Sequence, residues 1–214
     1  MSSGFGGRYL LSTGLIGVSL LAAGAWAADD HAASDPVAAA HERGQMSNDA
    51  DVRRSETQFV IPNVTLLRDD GKPVNLPAEL DDGRPLVVNF IYTSCTTICP
   101  MNSQVFEQFQ GDLGAERKSV HLVSISIDPE QDTPARLTEY AHRFHAGPQW
   151  QYYTGTLAAS LAAQRAFDVY RGEKMSHTPV TLMRAAPGGP WLRIEGFVTP
   201  DELMDDYQKL LASP

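Results

Sequence analysis

Leu86-Val-Val-Asn-Phe-Ile-Tyr-Thr-Ser-Cys-Thr-Thr-Ile-Cys-Pro-Met101 is the stretch on which the reading of this chain turns. Leu86, Val87, Val88, Phe90, Ile91 and Tyr92 form a short apolar run rich in β-formers, bounded upstream by Gly83 and Pro85, and predict a buried strand. Thr93-Ser94 turn the chain and present Cys95 and Cys99, the only two cysteines in the sequence. Pro100 suits the first turn of a helix, and the periodic segment after it supplies one. The local order is strand, thiol loop, helix. A helix beginning near Cys95 puts both sulfurs on one face, and its N-terminus favours thiolate. Two sulfurs so placed can exchange electrons or hold a soft metal.

The chain has 214 residues, which fits one domain with appendages. Its formal charge of −9 argues against a nucleic-acid partner. Arg8 precedes an uncharged run from Tyr9 to Ala28, and Ala25-Trp26-Ala27 has the small-x-small form of a cleavage site. Residues 1–27 read as a signal peptide or as an uncleaved membrane anchor. Both readings export the rest of the chain, to a periplasm, soluble or anchored to the inner membrane. Cleavage removes Arg8 and leaves a formal charge of −10. Residues 28–56 are polar and poor in large apolar side chains, and read as a flexible tether. His31, His41 and Met46 lie there and read as linker residues. In an oxidising compartment two lone cysteines form a disulfide. A structural staple gains by closing a long loop, whereas this pair closes a short one, which favours a labile, functional pair.

Residues 57–214 read as the folded domain. Phe59-Val60-Ile61 and Val64 to Leu67 predict strands, and Val74 to Leu76 a short return strand after the Asp69–Lys72 turn, giving an N-terminal β-hairpin extension. Beyond the thiol loop, Met101, Val105, Phe109 and Leu113 predict the buried stripe of a helix ending near Gly114. Val120 to Ile127 predicts a buried strand, with His121 turned to its less buried face. Asp132-Thr133-Pro134 opens a helix whose buried face is Leu137, Tyr140, Ala141 and Phe144. Trp150–Tyr153 predicts a strand, Thr156–Tyr170 a helix, Val180–Met183 and Trp191–Phe197 a hairpin. Thr199 and Glu202 have capping-box spacing before a last helix. The order predicts an α/β fold, a mixed sheet flanked by helices. His142 and His145 read as surface histidines. Asp128 and Asp132 read either as supports for the site or as caps of the loop and the following helix.

Four features now make the chain resemble a thioredoxin-like protein, and within that superfamily the Sco/SenC copper chaperones. Asn89 to Pro100 is similar to the family's C-x-x-x-C-P motif on its strand. Ser126 to Pro134 is similar to its S-x-D-P-x-x-D-T-P segment. His177-Thr178, opening a strand, resembles its distal histidine, and the export segment with its tether completes the pattern. The resemblance implies copper, Cu(I) or Cu(II), one per chain, held by Cys95, Cys99 and His177. It implies a role in cytochrome c oxidase assembly, with delivery to the copper site of a respiratory oxidase subunit or a similar cuproprotein, and an upstream copper donor. The residue chemistry agrees: thiolates are soft and select Cu(I), and imidazole accepts copper in either state. Thr96 and Thr97 stand where many relatives carry Pro and Asp, and Ser176 where many carry an acidic residue. Thr178-Pro179 occupies the place of the cis-proline of thioredoxin-like enzymes, and a cis bond is expected there.

A second reading is a thiol–disulfide oxidoreductase rather than a carrier, with Cys95 attacking and Cys99 resolving, that keeps an acceptor's cysteines reduced. A third is a peroxidase-like or redox-sensing protein. His177 discriminates the first two, because copper binding needs it and thiol exchange largely does not.

Overall fold

The structure is a computed structural model, and it describes residues 52–213. The export segment and nearly all of the expected tether lie outside the described residues. Among these, no helix is long and apolar enough to cross a membrane.

The chain builds β1 (Arg53–Thr57), β2 (Thr65–Arg68), β3 (Pro73–Asn75), α1 (Leu76–Leu80), β4 (Leu86–Ile91), α2 (Ile98–Asp112), a 3-10 turn (Gly114–Ser119), β5 (His121–Ser126), α3 (Pro134–Arg143), β6 (Trp150–Gly155), α4 (Leu157–Ala166), a second 3-10 turn (Lys174–Ser176), β7 (Val180–Arg184), β8 (Trp191–Glu195) and α5 (Pro200–Ala212). The strands form one mixed sheet in the order β1-β8-β7-β4-β5-β6-β2-β3. β4 runs parallel to β5, and β5 to β6, with α2 and α3 as the crossovers. β7 and β8 return antiparallel as the terminal hairpin, and the β2–β3 hairpin joins the far side antiparallel to β6.

β4 sits near the middle and is buried at every position, because helices cover both faces. Its side chains alternate. Val87 and Ile91 face the layer of α2, α3 and α5, with Phe106, Tyr140, Leu203 and Trp150. Leu86, Val88 and Phe90 face α1 and α4, with Leu76, Ala163 and Phe167. A one-residue slip of this strand exchanges the two cores, so its register is firmly set.

Most expected elements are present, with five differences. Phe59-Val60-Ile61 is not a strand: Val60 is 90% exposed, while Phe59 leaves the sheet to pack edge-on against Phe167 and Trp191, at 5.2 and 5.7 Å between ring centroids. The first strand comes earlier, inside the segment read as tether. Arg53–Thr57 pairs with β8, and its polar sequence hides it because an edge strand keeps its charges in water. The buried face of α2 is Cys99, Asn102, Ser103, Phe106, Phe109 and Gln110, and Met101 is 52% exposed. Polar side chains fit there because α3 and the loop after it answer them. Ser103 Oγ lies 3.0 Å from Tyr140 Oη, and Gln110 Nε2 donates to the His145 carbonyl at 2.9 Å. His121 is buried, since a strand covered on both faces has no wetter side; its Nδ1 is 3.0 Å from Asp82 and its Nε2 3.3 Å from the Tyr153 hydroxyl. No cis peptide bond occurs among the described residues, so Thr178-Pro179 is trans, the lower-energy form of a prolyl bond.

Phe106 tests the larger core layer. It is fully buried, with its ring 5.7 Å from that of Trp150. Phe106→Ala is expected to lower unfolding free energy by about 3–5 kcal/mol, read as a reduced urea midpoint.

Candidate functional site

The site forms where β4 ends and α2 begins. Cys95 N donates to the Tyr92 carbonyl at 3.1 Å, a tight turn that reverses the chain off the strand. α2 starts at Ile98 rather than near Cys95, and its N-cap Thr97 makes no side-chain capping bond. The Cys95 sulfur takes that part: the Cys99 amide donates to it at 3.3 Å. Both cysteines are free thiols.

The two thiols have opposite character. Burial pushes the Cys95 thiol up, but the amides of Cys99 and Thr97, with hydrogen bonds from the Cys99 thiol and the Tyr92 hydroxyl, outweigh it, and the result lies below the ordinary thiol value. Burial dominates at Cys99 and raises it well above that value, and the neighbouring Cys95 and Asp132 charges add to the rise. Cys95 is 7% exposed and Cys99 1%, so the pair is more covered than its loop position implies. Tyr92 is pushed up to about 12, first by burial and then by its bond to Cys95, so it is a hydrogen donor throughout the neutral range.

Asp132 holds the loop in place, although it is not the cap of α3. That role belongs to Thr133, whose side chain accepts from Arg136 N at 3.3 Å. Asp132 is fully buried and accepts from the Thr93 amide at 3.2 Å, the Thr93 hydroxyl at 2.5 Å and the Ser126 hydroxyl at 2.6 Å. It ties the residue two before Cys95 to the end of β5. Asp128 instead faces the loop before β7, where Lys174 Nζ bonds its Oδ2 at 2.5 Å.

His177 is placed separately. It is 5% exposed and lines a cleft of about 400 Å³ with Asp128, Gln164, Val169 and Tyr170. Its Nε2 lies 3.0 Å from the Phe90 carbonyl oxygen. That oxygen can only accept, so Nε2 carries the hydrogen and Nδ1 keeps the lone pair. Burial lowers the His177 pKa; the Phe90 bond opposes this and Arg171 adds to it, and the net result is a neutral ring at neutral pH. Among the described residues no three His, Cys, Asp or Glu side chains stand close enough together to hold a metal ion. Cys95 and Cys99 are thus brought together, and His177 waits on the adjoining loop. His142 and His145 are exposed, and His145 Nδ1 pairs with Glu107 at 2.6 Å. Sequence reading missed Tyr92 as part of the site. It resembles any other apolar residue at a strand end, and only the turn brings its hydroxyl to the sulfur.

An acidified thiol at a helix N-terminus, a buried partner thiol and this sheet order define a dithiol protein of the thioredoxin-like class. A family model described as SCO1/SenC matches residues 52–212. The chain belongs to the SCO1/SenC family. It is 36% identical to the SCO1 protein homolog of Bacillus subtilis over 98 residues, which cover 45% of this chain and 50% of that protein. The crystal structure of Arabidopsis thaliana ScoI with copper bound is 27% identical with a TM-score of 0.56, covering 71% of this chain and 98% of that one. The structure of BsSco, in which a disulfide switch is identified and which is described as a member of the Sco family of cytochrome c oxidase assembly proteins, is 24% identical with a TM-score of 0.60, covering 75% and 98%. The alignments span about half the length of the first curated relatives.

Two outcomes check this site. In single-cysteine variants, iodoacetamide is expected to modify Cys95 at least about tenfold faster than Cys99 at pH 8. The Cys95 rate should level off at a lower pH than that of a free cysteine peptide, since its pKa is depressed, while the Cys99 rate still climbs there. Asp132→Ala strands the Thr93 and Ser126 donors and is expected to cost about 3 kcal/mol in urea unfolding.

Proposed function

We propose that this protein is a copper carrier that binds one monovalent copper ion through Cys95, Cys99 and His177 and passes it to a cuproprotein, such as the copper-bearing subunit of a respiratory oxidase. The observation that carries this reading is the pair of cysteines at the start of α2, where the Cys99 amide donates to the Cys95 sulfur at 3.3 Å. Two adjacent sulfurs suit a soft ion, and a thiol whose pKa is lowered gives up its proton at less cost. His177 has the form of a ligand held ready: its Nε2 donates to a backbone carbonyl, and its Nδ1 keeps a lone pair. In this reading the Arg171–Thr178 loop moves to bring Nδ1 to the sulfurs once the ion arrives. Copper-bound relatives and the assembly role described for BsSco agree with it. Release proceeds by ligand exchange, with acceptor thiolates replacing the Cys95, Cys99 and imidazole bonds in turn. The export segment and tether set this exchange outside the cytoplasm.

The opposed thiols also favour a second reading, a thiol–disulfide oxidoreductase. The acidic Cys95 attacks an acceptor disulfide, and the buried Cys99 displaces the acceptor from the mixed disulfide as its own proton leaves. The two electrons come from the Cys95–Cys99 dithiol, which ends as a disulfide.

Anaerobic Cu(I) titration of the reduced protein is expected to give one tightly held equivalent per chain. Cys95→Ser should abolish it, and His177→Ala should weaken it about 10–100-fold. His177→Ala should leave disulfide reduction largely intact. Equal loss of both activities in that variant rejects the division of labour, and a wild type that binds no copper rejects the carrier.

A further inference from the structure

Met175 is the centre of the Lys174–Ser176 turn and is 78% exposed, an apolar side chain with no core around it. Its sulfur is nonetheless oriented, because the Tyr92 hydroxyl donates to Sδ at 3.5 Å. The same hydroxyl is among the groups that lower the Cys95 pKa, and the Cys95 amide turns back onto the Tyr92 carbonyl at 3.1 Å. A phenol has one hydrogen, so it serves one of these sulfurs at a time. A thioether on the outside and a thiol on the inside therefore flank a single tyrosine oxygen. The turn is pinned in that position: Lys174 Nζ bonds Asp128 at 2.5 Å and stands 5.6 Å over the Tyr92 ring. Two residues on, His177 is anchored to Phe90, on the same strand that leads to the thiols. Cys95 itself is nearly covered, whereas Met175 stands open to solvent.

We propose that Met175 is an entry ligand: its thioether takes Cu(I) at the surface and hands it past Tyr92 to Cys95. This rests on the copper-carrier reading and names the residue by which the ion reaches the site. In the transfer the Cu–Sδ bond breaks as the Cu–Sγ bond to Cys95 forms, the Cys95 hydrogen leaves to solvent as a proton, and copper remains Cu(I), so no electron changes hands. The direction follows from charge. A neutral thioether holds Cu(I) less firmly than a thiolate, so the ion moves inward. The Tyr92 hydrogen bond orients the thioether between transfers.

The full chain, reduced and anaerobic, is mixed with the coloured Cu(I)–bicinchoninate complex, and loss of colour is followed in time. Met175→Leu keeps size and apolarity at an exposed position, so its thermal melting should match that of the wild type. It is expected to bind the same final amount of copper but to withdraw it about tenfold more slowly. A wild-type withdrawal rate in Met175→Leu overturns the proposal while leaving the carrier reading standing. A wild type that withdraws no copper at all overturns both. Methyl-labelled methionine in the Cys95→Ser/Cys99→Ser protein gives a second readout. Adding Cu(I) should shift the Met175 methyl resonance, assigned by its loss in Met175→Leu, and an unmoved resonance also overturns the proposal.

Discussion

Thr97 leaves the first turn of α2 without a side-chain cap, and the Cys95 sulfur accepts the amide left over. Helix ends of this kind must find an acceptor, and here the acceptor is the reactive group itself. That contact is among those that lower the proton affinity of Cys95, and it draws the two cysteines together. It holds only if the chain leaves β4 at the right angle. The Tyr92–Cys95 turn supplies the angle, and Asp132 locks it by gripping Thr93. Asp132 in turn is placed by Ser126 at the end of the parallel neighbour strand. The site is thus an outgrowth of the two central strands, and their burial on both faces gives it a rigid base.

How much of this was legible in the sequence follows from where the signals lie. A continuous apolar run with Gly and Pro before it and a thiol loop behind can hardly be anything but a buried strand. The Thr-Pro starts of α3 and α5 announce themselves, as does the capping box of Thr199 and Glu202, which forms as expected. The closeness of Cys95 and Cys99 is expected from a helix beginning near Cys95. It comes instead from the Cys95 sulfur accepting the Cys99 amide ahead of a helix that starts at Ile98. Elements whose stability comes from partners distant in sequence were not legible. β1 has no apolar pattern and exists because β8 offers it hydrogen bonds. The inner face of α2 reads as polar until Tyr140 and the His145 carbonyl are set against it. The burial of His121 depends on helices covering both faces.

The histidine shows a different limit. A sequence can say that a ring stands ahead of a strand, and it cannot say which nitrogen is committed. The bond to Phe90 settles this and makes the ring a neutral donor of one known atom. It also separates the site into two parts, a dithiol that is assembled and a loop that carries softer or weaker donors. On the carrier reading proposed above, such a division lets the protein close on its cargo and open again. The same division lets electron exchange proceed at the sulfurs with no call on the loop.

Both rims of the eight-stranded sheet are shut to further strands. At one, β1 presents Arg53, Arg54 and Glu56, with Arg53 reaching Glu195 at 3.6 Å and Arg54 gripping Asp206 at 2.8 Å. At the other, β3 is three residues long and begins with a proline. A visiting polypeptide therefore cannot zip itself onto the lateral margin and borrow main-chain bonds for its affinity. Whatever this molecule meets, it must greet with side chains rather than with a shared strand.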